Sequence, residues 1–149
     1  MTETCFICEK HANNDSDLFI NFDQFNDFKV GHVPDRSGTG EVYLGALLIE
    51  PIRHVENWSE LSEEEAIQLG GLIKEVHKLL YQDNSVEHVY TWVFGDAVNH
   101  MHIWLVPRYT GTPREYWGVK LDEWHAAPKG GSDEIKRKVA FLRSLKHQM

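Results

Sequence analysis

The chain has 149 residues, a length at which one domain can bury a hydrophobic core of its own without cross-links. Hydrophobic residues make up 42% and charged residues 26% of it, which excludes the disordered and fibrous classes of protein. Its formal net charge of −8 argues against a broad binding face for polymeric nucleic acid, although one pocket can still bind a small phosphorylated ligand. We therefore expect a single domain over residues 1–149.

The start of the chain has no feature of a leader peptide or a membrane anchor. Its first residues, MTETCFICEK, lack the basic start and the apolar run of a signal peptide. No window of the sequence has the uncharged apolar length of a transmembrane helix. We expect a cytoplasmic protein without a membrane partner.

Two cysteines, Cys5 and Cys8, lie near the start with the spacing C-x2-C. Two are too few for a disulfide framework, and in a cytoplasmic protein this spacing indicates metal or redox chemistry. A tetrahedral zinc site needs two further ligands, and His11 is the local candidate for one of them. The alternative is a pair of reduced thiols packed against Phe6 and Ile7.

Three strands and a turn are predicted for the next part of the chain. Residues 17–20 and 27–33 are short predicted strands, and PDRSGTG, residues 34–40, is a turn or mobile loop on its composition. The apolar run VYLGALLI, residues 42–49, predicts a strong strand that Pro51 closes.

A long amphipathic helix is predicted over roughly residues 63–81. Ser62 and Glu65 fit a capping box at its start, and one apolar stripe runs along it from Leu69 to Leu80. Gly70 and Gly71 weaken a helix, so we expect close packing of this segment against a sheet.

The second half of the chain predicts an antiparallel strand pair followed by a helix. HVYTWVF, residues 88–94, is one strand, GDAVN is a turn, and HMHIW starts the second strand, which Pro107 ends. Residues 111–131 show no clear period, and an amphipathic helix follows Ser132 or Asp133. The fold class predicted from these elements is α+β.

The histidine strand carries the strongest functional signal. Because strand side chains alternate, His100, His102 and Trp104 share one face, while Met101 and Ile103 fill the core from the other. The two histidines have Cα atoms about 6.7 Å apart, close enough to serve one site. They could instead be two surface histidines, and an HxH metal site would want a downstream carboxylate, which IWLVPRYT does not supply.

Residues 95–108, GDAVNHMHIWLVPR, resemble the signature of the histidine triad (HIT) superfamily. The CFIC start is similar to the cysteine pair of many bacterial members, IEPIRH at 49–54 resembles their strand ending in Pro-Lys-Arg-His, and the long helix falls where theirs does. The resemblance implies a single HIT-like domain: an antiparallel sheet of about five strands with one long and one C-terminal helix, assembled as a homodimer.

The resemblance also implies chemistry at the α-phosphate of a nucleotide. His102 occupies the position of the nucleophile that forms a nucleotidyl-histidine intermediate, and His100 matches the first histidine of the triad, with an orienting or ligand role. In similar members a structural zinc is held by residues at the positions of Cys5, Cys8, His54 and His100. His11 remains the local competitor for one of these places.

The sequence departs from the superfamily pattern at its third histidine, which is Trp104. An indole N–H donates a hydrogen bond but cannot transfer a proton near neutral pH, so the acid–base role of that histidine is lost or relocated. Asp96 follows the glycine, where a carboxylate would repel phosphate unless a cation such as Arg108 pairs with it. Asn99, Asp96, Trp104 and Arg108 are the expected substrate contacts.

Two functions are compatible with these residues. The first is a nucleotide hydrolase or nucleotidyl transferase acting on a dinucleoside polyphosphate, a phosphoramidate or a nucleotide ester. The alternative is a nucleotide-binding, zinc-stabilised regulatory protein that kept the fold and lost turnover because of Trp104. Both have a small-molecule nucleotide as the partner, and neither involves polymeric nucleic acid.

Overall fold

The computed structural model describes residues 4–149. Three α-helices occur in this range: α1 (Phe6–Asn13), α2 (Glu63–Tyr81) and α3 (Ser132–Lys146). Seven strands accompany them: β1 (Phe19–Ile20), β2 (Phe28–His32), β3 (Val42–Tyr43), β4 (Leu47–Pro51), β5 (Val86–Trp92), β6 (Ile103–Tyr109) and β7 (Lys129–Gly130). None of the helices described combines the length and apolar composition that crossing a bilayer requires.

Five strands form one antiparallel sheet in the order β1-β2-β4-β6-β5, and β3 pairs with β7 in a separate two-stranded sheet. The α+β class and the five-stranded sheet are as expected. One face of the large sheet packs against α2 and α3 around a core that includes Leu47, Ile49 and Leu105. The opposite face carries α1 at one end and an aromatic cluster at the other.

Helix α2 has the predicted bounds and the predicted cap. The Ser62 hydroxyl accepts a hydrogen bond from the Glu65 N–H at 3.1 Å, and the Glu65 carboxylate accepts from the Ser62 N–H at 2.8 Å. Sheet packing does not explain the two glycines, however. A side chain at Gly70 would meet open space, and one at Gly71 would meet the Phe25 ring.

The predicted strand 42–49 is two strands, because the chain turns between them at Gly45. This residue has a φ of +96°, and a β-carbon there would collide with the Tyr109 hydroxyl group. Tyr43, on β3, leaves the large sheet and donates a hydrogen bond to the Pro107 carbonyl at 2.7 Å. The break places a second layer over the aromatic end of the sheet.

The sequence predicts that Pro107 ends its strand, and this prediction is wrong. Strand β6 continues to Tyr109. Pro107 lies opposite Val89 on β5, and the backbone N–H of Val89 points away from β6, since it is bonded to the Tyr81 hydroxyl. The nitrogen of Pro107 therefore points toward β4, whose pairing with β6 has already ended at Leu105. No ladder hydrogen bond is lost, so the proline is tolerated.

Candidate active site

His102 lies immediately before β6, on the sheet face opposite α2, as the alternation predicted; its neighbours Met101 and Ile103 are in the main core. Its Nδ1 lies 2.7 Å from the backbone oxygen of His100. A carbonyl oxygen can only accept, so Nδ1 carries the proton and Nε2 has the lone pair. Among the residues described, Nε2 has no hydrogen-bond partner. The ring is therefore fixed in the tautomer that a nucleophile requires.

His100 is fully buried two residues earlier and is oriented by the strand beside it. Its Nε2–H donates to the carbonyl oxygen of Pro51 at 2.7 Å, which leaves Nδ1 unprotonated. Burial lowers the pKa of this imidazole and favours its neutral form. A neutral ring whose far N–H is held by a carbonyl is the usual arrangement of a histidine that binds a metal.

Four side chains form a cluster around the Nδ1 atom of His100. The ligand atoms of Cys5, Cys8, His54 and His100 all lie within 4.8 Å of one another. The Sγ atoms of Cys5 and Cys8 lie 3.4 and 3.5 Å from His100 Nδ1, and Cys8 Sγ lies 3.5 Å from His54 Nδ1. Tetrahedral zinc with ordinary Zn–S and Zn–N bonds separates a sulfur from a nitrogen ligand by about 3.6 Å.

These residues therefore fit zinc in donor type, number and spacing, and the ligand set expected from the resemblance is confirmed as a spatial cluster. Burial and the neighbouring Cys5 raise the pKa of the Cys8 thiol, so two thiolates at this distance need a cation between them. Helix α1, which the sequence did not predict, presents both cysteines from its first turn: Cys5 is its N-cap and accepts from the Cys8 N–H.

His11 is not a member of the cluster, in which His54 is the fourth residue. Its Nε2 lies 3.0 Å from Glu50 on β4, and Lys10 donates to the other oxygen of the same carboxylate at 2.7 Å. Burial alone would raise the pKa of Glu50, but the bonds from His11 and Lys10 lower it overall. The buried ion pair fastens α1 to β4 directly behind His100, whose ring is 5.8 Å from that of His11.

Asp96 and Asn99 are exposed and line one cleft of about 850 Å³ that also borders the cysteine cluster. Two charged residues that the sequence did not assign to the site, Arg36 and Glu56, complete its polar wall. The Arg36 guanidinium stacks over the Phe6 ring at 4.0 Å from its centroid. Arg36 lies 28 positions after Cys8 and 60 positions before Asp96. No local spacing connects it to either motif, so only the tertiary structure brings it to the cleft.

The structure does not bring Arg108 to Asp96 or to His102. Arg108 lies six residues beyond His102 on the extended strand, a span of about 20 Å. Its guanidinium stacks on Trp117 at 3.6 Å and donates to the Tyr90 hydroxyl at 2.9 Å. The expected pairing of Asp96 with Arg108 is therefore not made.

Trp104 shares the face of His102, with ring centroids 6.3 Å apart. It lies directly opposite Trp92 on β5 and belongs to the aromatic cluster of this face. The ring thus occupies the position predicted for a third histidine, and it offers an apolar surface there instead of a titrating group.

Comparison with solved structures identifies the fold. A zinc-bound histidine triad family protein from Mycobacterium smegmatis matches with a TM-score of 0.68 at 13% identity, over 97% of this chain and 94% of that one. A HIT family protein from Bacillus subtilis matches with a TM-score of 0.58 at 22% identity, over 89% and 86% of the two chains. Diadenosine triphosphate hydrolase from Plasmodium falciparum matches with a TM-score of 0.62 at 13% identity, over 90% and 79%.

No family model matches the sequence, and no curated protein matches it. At these identities the likeness shows the fold, which is that of the histidine triad proteins.

Proposed function

We propose that this chain is a nucleotide hydrolase or nucleotidyl transferase that attacks the α-phosphate of a nucleotide through His102. The observation that carries the proposal is the fixed tautomer of His102, whose Nδ1–H is held by the His100 carbonyl at 2.7 Å. The histidine triad fold supports it, as does the fact that a neighbour of the same fold is a diadenosine triphosphate hydrolase.

The reaction proceeds in two displacements. The lone pair of His102 Nε2 attacks the α-phosphorus, the bond from phosphorus to the leaving group breaks, and the leaving group departs with the electron pair. The His100 carbonyl faces the Nδ1–H of the resulting positively charged ring and stabilises it. Water or another acceptor then attacks phosphorus, the Nε2–P bond returns its electrons to the ring, and the acceptor loses its proton to solvent.

Trp104 restricts the leaving group. Because indole cannot donate a proton to it, a group that is stable as an anion, such as a nucleoside phosphate, departs more readily than an amine or an alcohol. Dinucleoside polyphosphates are therefore the preferred substrates among the three classes considered.

The nucleotide occupies the cleft lined by Asp96, Asn99 and Arg36. Its volume of about 850 Å³ lies within the range of small-molecule sites. Arg36 supplies the positive charge that Arg108 does not, and it offsets the carboxylates of Asp96 and Glu56. Asn99 offers an amide N–H to a phosphate oxygen.

A structural zinc completes the site. When bound, it would join α1 to His100 through Cys5, Cys8 and His54 and so hold the backbone carbonyl that orients His102. We also propose a homodimer, because β5 is an edge strand of the large sheet and, within residues 4–149, pairs in that sheet with β6 alone. Light scattering that gives twice the mass of one chain tests this assembly.

Trapping of the intermediate tests the function. Diadenosine triphosphate mixed with excess protein and quenched in alkali should leave one AMP group on wild-type protein, detected by intact mass and located on His102 by peptide mapping. His102→Asn should show no adduct, while the exposed His125→Asn should form it as the wild type does. An adduct that persists in His102→Asn contradicts the proposal.

The alternative is a nucleotide-binding, zinc-stabilised regulatory protein, and Trp104 is the observation that favours it. Calorimetry with AMP separates the two functions. Binding of AMP without an adduct or product from diadenosine triphosphate, an AMP phosphoramidate or an AMP ester would support the regulatory protein.

A further inference from the structure

We infer that the pocket beside Trp104 binds a planar aromatic group carried by the leaving group of the substrate. This inference rests on the proposed function and specifies its substrate class. The pocket has a volume of about 340 Å³ and lies on the sheet face of His102. Its walls include six residues that the proposed chemistry does not use: Tyr43, Trp92, Phe94, Val119, Leu121 and Asp122.

The aromatic walls of this pocket are arranged for stacking. Trp92 lies nearly parallel to Tyr90, a neighbour that does not itself line the pocket, with centroids 5.4 Å apart and an interplanar angle of 20°. Phe94 continues the row at 5.9 Å from Trp92 and is 54% exposed. Trp104 faces Trp92 across the strand pair. Leaving such rings in contact with water is unfavourable, and an offset or edge-on aromatic partner would cover them at the distances that these rings already keep among themselves.

The position of the pocket relative to His102 identifies which part of the substrate enters it. Along the chain, the polar cleft is bordered by Asp96 and Asn99, before His102, and the aromatic pocket by Trp104 and Val106, after it. His102 and Trp104 are ring neighbours on one sheet face, so a phosphorus atom held at His102 lies beside the pocket. With the nucleotide in the polar cleft, the other substituent of the phosphorus is the one that can extend toward Trp104. The 6.3 Å between the His102 and Trp104 rings leaves room for a short linker between phosphorus and the bound ring.

Asp122 is the one charged residue among those that line the pocket, and it is exposed. Its carboxylate can accept a hydrogen bond from an N–H on the edge of a bound ring, and it repels an anionic ring. A neutral or cationic planar ring fits these walls best. A volume of about 340 Å³ lies at the low end for small-molecule sites and suits one ring system rather than a helix, whose diameter is about 10 Å.

The test uses two substrates that differ in the planarity of one group. They are the β-esters of ADP with 2-phenylethanol and with 2-cyclohexylethanol, and attack at the α-phosphorus releases an alkyl phosphate from both. The two leaving groups have the same linker and nearly the same basicity, so the chemistry at phosphorus is matched. Wild-type protein should favour the phenyl substrate by about 3- to 10-fold in kcat/KM, the range that aromatic stacking supplies.

Phe94→Ala should reduce this preference to near unity, because it removes one wall. Phe94 lies outside β5 and is exposed, so its loss leaves the sheet intact. Phe141→Ala is the matched control, since Phe141 is 42% exposed on α3 and is not part of the pocket, and it should keep the wild-type preference. Equal rates for the two substrates in wild-type protein would overturn the inference while leaving the proposed function in place.

A binding measurement separates failure of the pocket from failure of the chemistry. If wild-type protein hydrolyses neither ester, saturation-transfer NMR still reports whether the phenyl protons contact the protein. Transfer that is lost in Phe94→Ala and kept in Phe141→Ala would support binding in the pocket even though the proposed function had failed. Absence of transfer in wild-type protein would overturn the inference.

Light scattering tests whether a second copy of the chain occupies this surface instead. A dimer that Phe94→Ala dissociates, with the substrate preference unchanged, would make this surface a subunit interface and overturn the inference.

Discussion

The backbone of His100 orients the side chain of His102. One residue thus serves two purposes: its ring points into the cysteine cluster at 3.4 Å from Cys5 Sγ, and its carbonyl oxygen accepts the Nδ1–H of His102 at 2.7 Å. A change in the cluster is transmitted to the candidate nucleophile through a single peptide unit, so loss of zinc should affect both stability and activity.

Zinc binding should depend on His54 and not on His11. We expect one zinc per chain in wild-type protein and in His11→Gln, and little or none in His54→Gln or Cys8→Ser, because only the last two remove a cluster ligand. Cys8→Ser should also lower Tm by about 5 to 10 °C. Elemental analysis and calorimetry measure these outcomes. Retention of zinc by His54→Gln together with its loss from His11→Gln would contradict the assigned ligand set.

Restoring a histidine at position 104 should accelerate cleavage of substrates with poor leaving groups. Trp104→His places a proton donor 2 positions beyond His102 on the same face, and general acid catalysis of this kind typically contributes 10²-fold or more. We expect kcat for an AMP alkylphosphoramidate to rise by about 10- to 100-fold. Diadenosine triphosphate, whose leaving group needs no proton, should gain much less.

Trp104→Phe is the control for that comparison, because it also removes the indole but supplies no proton donor. Stopped-flow and steady-state rates on both substrates would show the difference. A similar gain in Trp104→Phe would mean that relief of crowding, rather than proton transfer, is responsible.

Replacing one partner of the buried ion pair between Lys10 and Glu50 should lower the free energy of unfolding strongly. Glu50→Gln leaves the Lys10 ammonium buried without its partner, for which we expect a loss of about 3 to 5 kcal/mol in the free energy of unfolding. Lys10→Met combined with Glu50→Gln should cost less than the sum of the single changes. Urea denaturation measures these values, and Glu56→Gln, at an exposed carboxylate, is the matched control.

His32 should make the protein less stable in acid. Its Nδ1–H donates to the Val33 carbonyl and its Nε2 accepts from the Gly45 N–H, each at 2.8 Å. Burial lowers its pKa to about 4, against the opposing effect of the Val33 bond. The unfolded chain therefore binds this proton first, near pH 6.5, so stability should be complete above that pH and should fall as the pH drops toward 4.

The expected loss from His32 across this window is roughly 3 kcal/mol. Comparison with His32→Gln isolates it, since acid release of zinc and titration of the other groups occur in both proteins. The difference in unfolding free energy between wild type and variant should narrow as the pH falls from about 6.5 to 4. A difference that stays constant with pH would refute the contribution of this imidazole.

Local patterns in the sequence predicted part of this structure closely. Helix α2 was fixed by its capping box and by an apolar stripe, both of which depend on residues a few positions apart. The faces of the histidine strand followed in the same way from alternation, which placed Met101 and Ile103 in the core.

Features that depend on distant partners were missed. Helix α1 has only 8 residues, and it is held by the contact of Lys10 with Glu50, 40 positions away. Pro107 fits inside β6 only because the pairing of β6 with β4 stops at Leu105, which no local pattern reveals. Arg108 was expected at the phosphate, but the stacking surface of Trp117, on a segment without periodicity, holds it elsewhere.

The turn at Gly45 limits which variants of this protein can fold. Its φ of +96° and the Tyr109 hydroxyl and Pro107 ring beside it leave no room for even one methyl group. Every missense change of this codon would push Tyr109 aside and disturb the second layer over the aromatic face. In a saturation mutagenesis library selected for folded protein, position 45 should therefore be depleted of all substitutions, alanine included, although Gly45 lines neither of the two pockets proposed to bind substrate.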